Sequence, residues 1–359
     1  MGSTNFTDPY APSDLLTTES TDDGTFETYA NVSFLLAWMI LSFCILSFLT
    51  NLLSACIYSH PCMRSPINVL LTGLSVIDLL LSLVWVPTFV VPCLYVYYRS
   101  PILKSVMSYS QVFIYPLSFV THSSSVYTLV VISIDRMISV VWPFQARWHS
   151  NRRSVCALLL VVILSFLYSC VRFFEFRLLN DEKNPSAPTD VTLLLRDSEK
   201  YPLYMALYCN GLYFIVHFLV PFTVLSVVNS VMIGAIYRAA AQRRMLSNQQ
   251  KREHRTALMM AMTVLLFLVC NTLPLILNAI ELVNPHFFYA RQTLVLAFTL
   301  NDVCNVLIVF NTSCTAFIYF SFCQKYRRVA SNMVQFFITA YHQNQRQHVT
   351  SLTEAFSAA

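Results

Sequence analysis

The chain has 359 residues, of which 56% are hydrophobic and only 11% charged, with a mean hydropathy of +0.57 and a formal net charge of +5. This composition excludes an ordinary water-soluble globular protein, in which about a quarter of the residues carry a charge. Only five glycines and a high aromatic content of 14% argue against an outer-membrane β-barrel, whose short strands alternate in polarity. An α-helical membrane protein remains, because helices satisfy their own backbone hydrogen bonds in lipid.

Seven apolar stretches follow one another along the chain, and each approaches or exceeds the roughly 20 residues that a membrane-spanning helix needs. They cover residues 34–58, 67–92, 108–142, 156–174, 205–236, 256–282 and 293–320. The pattern predicts an all-α membrane protein, a seven-helix transmembrane bundle over 34–320. The first stretch is too long for the apolar part of a cleaved signal peptide and has no basic flank, so we expect a signal anchor.

The two ends of the chain are predicted to differ. Residues 1–33 are rich in Ser, Thr, Asp and Pro and are expected to be disordered. In the tail, 321–359, apolar side chains recur every three or four residues between basic ones, which predicts a short amphipathic helix over 322–340 at the inner interface. Its apolar positions are Phe322, Tyr326, Val329, Met333 and Phe336.

Charge predicts the orientation of the chain in the plasma membrane. Residues 1–33 carry six carboxylates and no Lys or Arg, whereas the loop between the fifth and sixth stretches carries six basic residues against one Glu. Because basic loops stay in the cytoplasm, the N-terminus is expected outside and the C-terminus inside. The inner face suits anionic lipid and gives no reason to invoke nucleic acid, while the acidic outer face would attract a cationic ligand.

The chain contains three glycosylation sequons and eleven cysteines, and some of each are predicted to lie near the outer side of the membrane. Asn5 and Asn31 begin glycosylation sequons in the outer segment, whereas the sequon at Asn311 lies inside the seventh stretch and is expected to stay bare. The cysteines show neither CxxC pairs nor zinc spacing. Three lie near the outer, oxidising side: Cys93, Cys209 and Cys304.

Polar residues within the apolar stretches are the first functional candidates, because they are costly in a membrane. Asp78 lies in the middle of the second stretch, without a neighbouring charge. It is either a protonated carboxyl group bonded to Ser or Asn neighbours, or a site for a cation or a proton. Asn51, Ser125 and Asn311 lie at comparable depth and offer oxygen atoms.

The third stretch ends in Asp135-Arg136-Met137, where a buried carboxylate and guanidinium reach water and a partner. An Arg at a helix end also fits simple snorkelling to the interface. Prolines interrupt four stretches and predict kinks, which suit a protein that changes shape but also occur in channels and transporters. These are Pro87, Pro116, Pro221 and Pro274.

The order of these features resembles the rhodopsin-like G-protein-coupled receptors, over roughly 34–340. The matching set is Asn51, Asp78 within LSVIDLL, Asp135-Arg136-Met137 with Pro143 seven residues on, Pro221, Pro274 and Tyr319. Three shorter segments look like invertebrate FMRFamide and related neuropeptide receptors. They are Tyr115-Pro116-Leu117, Arg172-Phe173-Phe174-Glu175 and residues 246–260.

The resemblance implies a receptor without catalysis, whose partners are an extracellular peptide and a heterotrimeric G protein. Coupling would use Asp135, Arg136, Phe144 and Tyr319. Asp78, Ser125 and Asn311 would hold an allosteric sodium ion, with no other cofactor. A peptide ending in Arg-Phe-amide would place its guanidinium against Glu175, Glu281 or Asp302. Its aromatic ring and amide would meet Tyr115, His122, Tyr208, Tyr213, Asn278 and Asn305. In the alternative, Glu175 pairs with Arg172 or Arg177, and Glu281 pairs with Arg291.

The sequence also departs from the family pattern. Gln111 stands where the third helix usually begins with a cysteine, and no cysteine lies between Arg172 and Tyr208, so the usual bridge to the second outer loop cannot form. A bridge between Cys93 and Cys209 stays open. The usual Trp, Asn and Tyr of spans six, seven and five are replaced by Thr272, Thr315 and Asn229.

Other functions remain as alternatives. The same architecture would serve a chemosensory receptor for a non-peptide ligand. A transporter or channel predicts repeated halves or several charges along a pathway at the midplane, where this chain has chiefly Asp78. An intramembrane enzyme would need a metal motif such as HExxH or paired aspartates on adjacent helices, and neither is present.

Overall fold

The computed structural model describes residues 23–63, 65–142, 150–179, 190–193, 200–241, 248–284 and 293–333, together with residues 335 and 339. Within this part of the chain, seven helices are long and apolar enough to cross a membrane. We number them as spans one to seven: Glu27–Ser59, Pro66–Tyr98, Pro101–Val141, Asn151–Phe174, Tyr204–Arg238, His254–Val283 and Val295–Phe322. Each overlaps one apolar stretch of the sequence, so the predicted seven-helix bundle is confirmed.

The spans are built from α-helices joined by tighter or wider turns. The α-helices are α1 Asp23–Ser59, α2 Pro66–Trp85, α3 Val91–Tyr98, α4 Pro101–Tyr109, α5 Tyr115–Val141, α6 Asn151–Ser169, α7 Val220–Ala241, α8 Asn248–Val283 and α9 Leu294–Phe322. Pro61–Met63 and Cys170–Phe174 are 3₁₀ turns. Val86–Val90, Ser110–Ile114, Tyr204–Leu212 and Phe214–Leu219 are π-helical.

Three of the four prolines lie in or just after a π-helical turn: Pro87, Pro116 and Pro221. A proline removes one backbone hydrogen bond and crowds the preceding turn, and a wider turn accommodates both effects. Pro274 instead lies within the continuous helix α8. Three of the four predicted proline kinks therefore coincide with π-helical turns, one in each of spans two, three and five.

The first helix begins earlier than the sequence predicts. Residues 23–33, expected to be disordered, form the first turns of α1, and Asn31 is exposed on this helix. Asn5 lies outside the described residues.

A β-hairpin follows span four and was not predicted. Strand β1 (Phe176–Leu179) pairs antiparallel with β2 (Asp190–Leu193), with Phe176 opposite Leu193 and Arg177 opposite Thr192. The first strand packs against the π turn Ser110–Ile114 of span three. The rings of Tyr115 and Phe176 meet edge to face at 5.7 Å between centroids. The hairpin is thus held against the N-terminal end of span three, which we call the outer end after the orientation predicted from charge.

The predicted amphipathic helix after span seven is present, and residues 324–333 are helical. Tyr326, Val329 and Ala330 are buried in one core cluster with side chains of spans one, two and seven. The Tyr326 hydroxyl shares a hydrogen bond of 2.9 Å with Ser54 of span one. The apolar face of this helix therefore packs on the bundle itself. Phe336 lies outside the described side chains.

Gly73 lies where spans two and four pack together. A Cβ atom at this position would overlap the end of the Leu158 side chain. Small residues at helix contacts allow such close approach in membranes, where packing drives association.

Candidate ligand and coupling sites

A buried ion pair lies at the outer end of span four. Nη1 of Arg172 is 3.2 Å from Oε1 of Glu175, and the two side chains are 3% and 0% exposed. Both residues come from the 3₁₀ turn that ends span four and its capping residue, where a spacing of three brings side chains to the same side. The alternative predicted from the sequence, in which Glu175 pairs with Arg172, is the arrangement found.

Side chains of span five complete the coordination of Glu175. The Tyr204 hydroxyl donates a hydrogen bond of 2.8 Å to Oε1 of Glu175, and Sγ of Cys209 lies 3.7 Å from the same oxygen. A buried carboxylate needs several such donors to offset its desolvation. Glu175 is consequently engaged by residues of this chain on spans four and five.

Aromatic rings surround the Arg172 guanidinium. Its Cζ atom lies 3.7 Å from the ring centroid of Phe119, 5.2 Å from that of Tyr213 and 5.4 Å from that of Tyr208. A cation over an aromatic face is stabilised by the ring quadrupole, the more so where water is excluded. The group therefore connects spans three, four and five through one positive charge.

The nine side chains predicted to bind the ligand fall into two sets. Tyr115, Glu175, Tyr208 and Tyr213 belong to the group around Arg172, and His122 stacks on His217 at 5.7 Å beside it. The other four are on spans six and seven: Asn278, Glu281, Asp302 and Asn305. Asn278 donates to the backbone carbonyl of Pro274 at 2.8 Å, and Glu281 is half-buried with an interaction of its own. The structure thus brings the five residues of the first set together.

Asp302 differs from Glu175 in its surroundings. It is 9% exposed, and its neighbours are the hydroxyl of Ser33, 3.5 Å away, and the thiol of Cys93. Among the described residues, no Lys, Arg or His pairs with it. Nearby on the same span, the amide nitrogen of Asn305 is buried without a hydrogen-bond partner in the described part of the chain. Within the described residues, spans one, two and seven thus hold a buried carboxyl group without a cationic partner.

A small cavity lies in the middle of the bundle, and all three predicted sodium ligands line it. Its volume is about 20 Å³, enough for a single water molecule or small ion. Oγ of Ser125 donates to Oδ1 of Asp78 at 2.5 Å, and Oδ1 of Asn311 is buried without a partner among the described residues. One carboxylate, one hydroxyl and one unused amide oxygen are the hard donors that an alkali cation prefers.

The inner end of span three carries the second ion pair. Nη2 and Nε of Arg136 lie 2.5 and 3.0 Å from Oδ2 of the adjacent Asp135, and the two side chains are 7% and 13% exposed. Next to this pair, Met232 of span five and Ala257 of span six are fully buried and pack against Met137 of span three. The inner ends of spans three, five and six are therefore in contact, and the guanidinium pairs with the adjacent carboxylate of its own helix.

Tyr319 lies close by, in the inner half of span seven. Its ring packs edge to face on Tyr58 at 5.5 Å, and it lies 6.3 Å from Tyr326. Its hydroxyl is buried and has no hydrogen-bond partner among the described residues. Phe144, the remaining predicted coupling residue, lies outside the described residues.

The departures from the family pattern have distinct structural consequences. Thr272 is exposed on the outside of span six and bonds to its own helix, whereas the neighbouring Asn271 is buried and lines the central cavity. Thr315 also lines that cavity. Asn229 is buried with its side-chain oxygen unpaired within the described part of the chain.

No disulfide bond replaces the missing bridge. All eleven cysteines lie in the described residues, and all are free thiols. Cys93 interacts with Asp302, whereas Cys209 lies against Glu175, so the two have different neighbours.

Sequence reasoning gave several site residues no role of their own. Arg172 entered only as a partner for Glu175, and Phe119, Tyr204 and His217 were not singled out. A lone His within the apolar run of span five was the available signal for His217, whose Nε2 lies 3.0 Å from Oγ of Ser123. No local pattern marks Phe119 or Tyr204, because their roles depend on a residue of another span.

Comparison with known proteins adds a family and its relatives. Residues 50–319 match the family described as "7 transmembrane receptor (rhodopsin family)". The chain is 38% identical over 296 residues to the FMRFamide peptide receptor frpr-18 of Caenorhabditis elegans, covering 82% of this chain and 68% of that receptor. It is 30% identical over 294 residues to the FMRFamide receptor of Drosophila melanogaster, covering 79% and 51%. It is 27% identical over 285 residues to the allatostatin-A receptor of Bombyx mori, covering 77% and 73%.

Proposed function

Because the chain belongs to the rhodopsin family of seven-transmembrane receptors, we propose that a short amidated peptide activates it from outside and that it signals to a heterotrimeric G protein. As a member of a receptor family, it is not an enzyme. The names of its two FMRFamide-receptor relatives support a peptide ending in Arg-Phe-amide or a close variant. The N-terminus faces outside in this proposal, as the distribution of charge indicates.

Asp302 is the single observation that carries the choice of ligand. A buried carboxylate without a cation is costly, and a ligand guanidinium would relieve that cost through two charge-assisted hydrogen bonds. Glu175 has its charge balanced by Arg172, so it is the weaker candidate of the two. The proposal therefore places the peptide Arg between spans one, two and seven, beside Ser33 and Asp302.

In this proposal, signalling requires the contact between the inner ends of spans three, five and six to open. The peptide shifts the receptor toward the arrangement that it binds more tightly, and only by that difference in affinity. The arrangement competent for coupling separates Met137, Met232 and Ala257, because a G-protein segment needs space where these side chains now touch. Arg136 then leaves Asp135 and contacts the G protein, and the basic residues of 238–255 complete the docking surface.

A sodium ion in the central cavity belongs to the same proposal. Asp78, Ser125 and Asn311 would hold it, and when bound it supplies a positive charge that balances the Asp78 carboxylate. Asn271 and Thr315 are among the other polar residues that line the cavity. Because the lining residues come from spans two, three, six and seven, an ion there would favour the closed arrangement of the bundle.

The ligand assignment is tested by comparing two peptides, one with Arg and one with citrulline, on two receptors, the wild type and Asp302→Asn. Cells expressing the chain with a promiscuous G protein receive a panel of amidated peptides, and the most potent is remade with citrulline in place of Arg. Citrulline removes the charge and keeps the shape, so potency at the wild type should fall by well over tenfold, about 1.4 kcal/mol per decade. At Asp302→Asn the two peptides should be nearly equal.

Ser33→Ala is the matched control, because it changes a neighbour of Asp302 and keeps the carboxylate. An equal citrulline penalty at the wild type and at Asp302→Asn would place the guanidinium elsewhere. Failure of every amidated peptide, with normal surface expression, would favour a non-peptide chemosensory ligand.

A further inference from the structure

The second outer loop of this receptor has no covalent tie to span three. All eleven cysteines are free thiols, and Gln111 occupies the usual cysteine position. The hairpin nevertheless lies against the π turn Ser110–Ile114. Some other contact must hold it there, because a two-stranded hairpin has little stability of its own.

We propose that Arg172, Glu175, Tyr204 and Phe119 form an outer clamp that replaces this bridge and positions the hairpin over the ligand entrance. Glu175 directly precedes Phe176, the first residue of β1. Fixing its carboxylate therefore fixes the start of the strand. The clamp is a positioning site, and its residues need not touch the ligand.

The contacts of the clamp join the elements that a bridge would join, and add one more. Arg172 and Glu175 lie at the end of span four, and the ring of Phe119, on span three, lies under the guanidinium at 3.7 Å. The Tyr204 hydroxyl brings in span five through its hydrogen bond of 2.8 Å to Glu175. Three spans and the hairpin thus meet at one ion pair.

Burial makes this ion pair hard to open, and in this respect it resembles a covalent link. The two charged side chains are 3% and 0% exposed, so neither can be rehydrated unless the clamp opens. Nε of Arg172 is buried and has no hydrogen-bond partner in the described part of the chain. The cation therefore already lacks one hydrogen bond. Opening is therefore a discrete step in which charges, rings and strand separate together.

Cys209 offers a readout that needs no ligand. Its thiol is 8% exposed and lies 3.7 Å from the Glu175 carboxylate, behind the clamp. A membrane-impermeant maleimide applied to intact cells should label it slowly in the wild type. Glu175→Gln removes one charge, and labelling should become at least about tenfold faster as the loop opens locally. Cys209→Ser identifies the labelled band.

Two further variants separate positioning from folding. Arg172→Gln with Glu175→Gln removes both charges and avoids an unpaired buried cation, so it should reach the surface yet still label faster than the wild type. Gln111→Cys, combined with Glu175→Gln and either Arg177→Cys or Leu178→Cys, is designed to restore a covalent tie, and the labelling of Cys209 is read as the difference from the same variant carrying Cys209→Ser. The oxidised form of the cross-linked variant should return labelling to within about twofold of the wild type, and dithiothreitol should reverse this rescue while leaving the wild type unchanged.

Peptide binding supplies the second readout, and this arm alone rests on the proposed function. Saturable binding of an amidated Arg-Phe peptide should weaken with the clamp open and recover in the oxidised cross-linked variant. Labelling rates equal to the wild type in surface-expressed Glu175→Gln and in the double Gln variant would overturn the clamp, as would a cross-link that forms without slowing labelling. If the peptide fails to bind the wild type while labelling behaves as expected, the clamp stands and the ligand assignment falls.

Discussion

Two Arg–carboxylate pairs within the described residues, one toward each end of the bundle, are built differently. At the inner end, Asp135 and Arg136 are adjacent residues of one helix, partly accessible at 13% and 7%. At the outer end, Arg172 and Glu175 are buried at 3% and 0%, and residues of spans three and five complete their environment. Within the described residues, the contact of the inner pair joins two neighbours on one helix, while the contacts of the outer pair draw on three spans.

This difference determines what each pair can do. A pair near water can exchange its partner at low cost, because the freed groups are rehydrated or meet an incoming protein. A pair removed from water is expensive to break, because each freed charge stays desolvated. The inner pair is therefore suited to switching between states, and the outer pair to holding one arrangement.

The largest expected effect is at the inner pair. Arg136→Ala should abolish G-protein activation, because the proposed contact with the partner is removed, while surface expression stays near the wild-type value. The measurement is agonist-stimulated second messenger, normalised to surface receptor. Asp135→Asn is the matched change, and it should raise ligand-free signalling by releasing the guanidinium. A fully responsive Arg136→Ala receptor would remove this residue from the mechanism.

At the outer pair, loss of the guanidinium should lower the stability of the folded receptor. Arg172→Gln leaves Glu175 buried without its cation and should cost about 3–5 kcal/mol, seen as lost surface expression or a lower unfolding temperature in detergent. Tyr204→Phe removes only one hydrogen bond to the carboxylate and should cost about 1–3 kcal/mol. Equal losses for the two variants would mean that the ion pair contributes no more than its neighbour, and the contrast between the two ends would disappear.

The central cavity lies between the two pairs and tests whether they communicate. Agonist affinity should be lower in sodium than in choline by about fivefold or more for the wild type, since coupling between sites is typically about 1–3 kcal/mol. In Asp78→Asn the two salts should give the same affinity. A wild-type receptor that does not distinguish the salts would exclude the ion from the mechanism.

The smallest expected effect on signalling is that of removing the predicted glycosylation sites, which tests the orientation of the chain in the membrane. Glycosidase should increase the gel mobility of the wild type, and the combined change Asn5→Gln and Asn31→Gln should abolish this shift, because both sequons are predicted to lie outside. The double variant should bind and signal normally. A residual shift would indicate sugar on Asn311 or an inverted topology, and the two pairs would then exchange faces.

Much of the fold could be predicted, because the length of an apolar stretch is a local property of the sequence. The seven spans, the helix at 324–333 and the adjacent Asp135 and Arg136 all follow from short windows. The hairpin could not be predicted, since its pairing joins residues 176–179 to 190–193 across a loop. For the same reason, the engagement of Glu175 by Tyr204 and Cys209 of span five was not visible. The exposed position of Thr272 was not predicted, because the sequence analysis compared this residue only with the usual Trp of the family.

The π-helical turns have a consequence for how residues are matched between relatives. Such a turn is what one inserted residue leaves in an α-helix, and one residue corresponds to about 100° of rotation. Every side chain outward of Ser110–Ile114 or Phe214–Leu219 is therefore rotated relative to a relative that lacks the insertion. An ungapped alignment anchored on Arg136 would stay correct on the inner side of such a turn and would be shifted by one residue beyond it. Errors of residue assignment will thus accumulate in the outer third, where receptors of this family are compared for the ligands they distinguish.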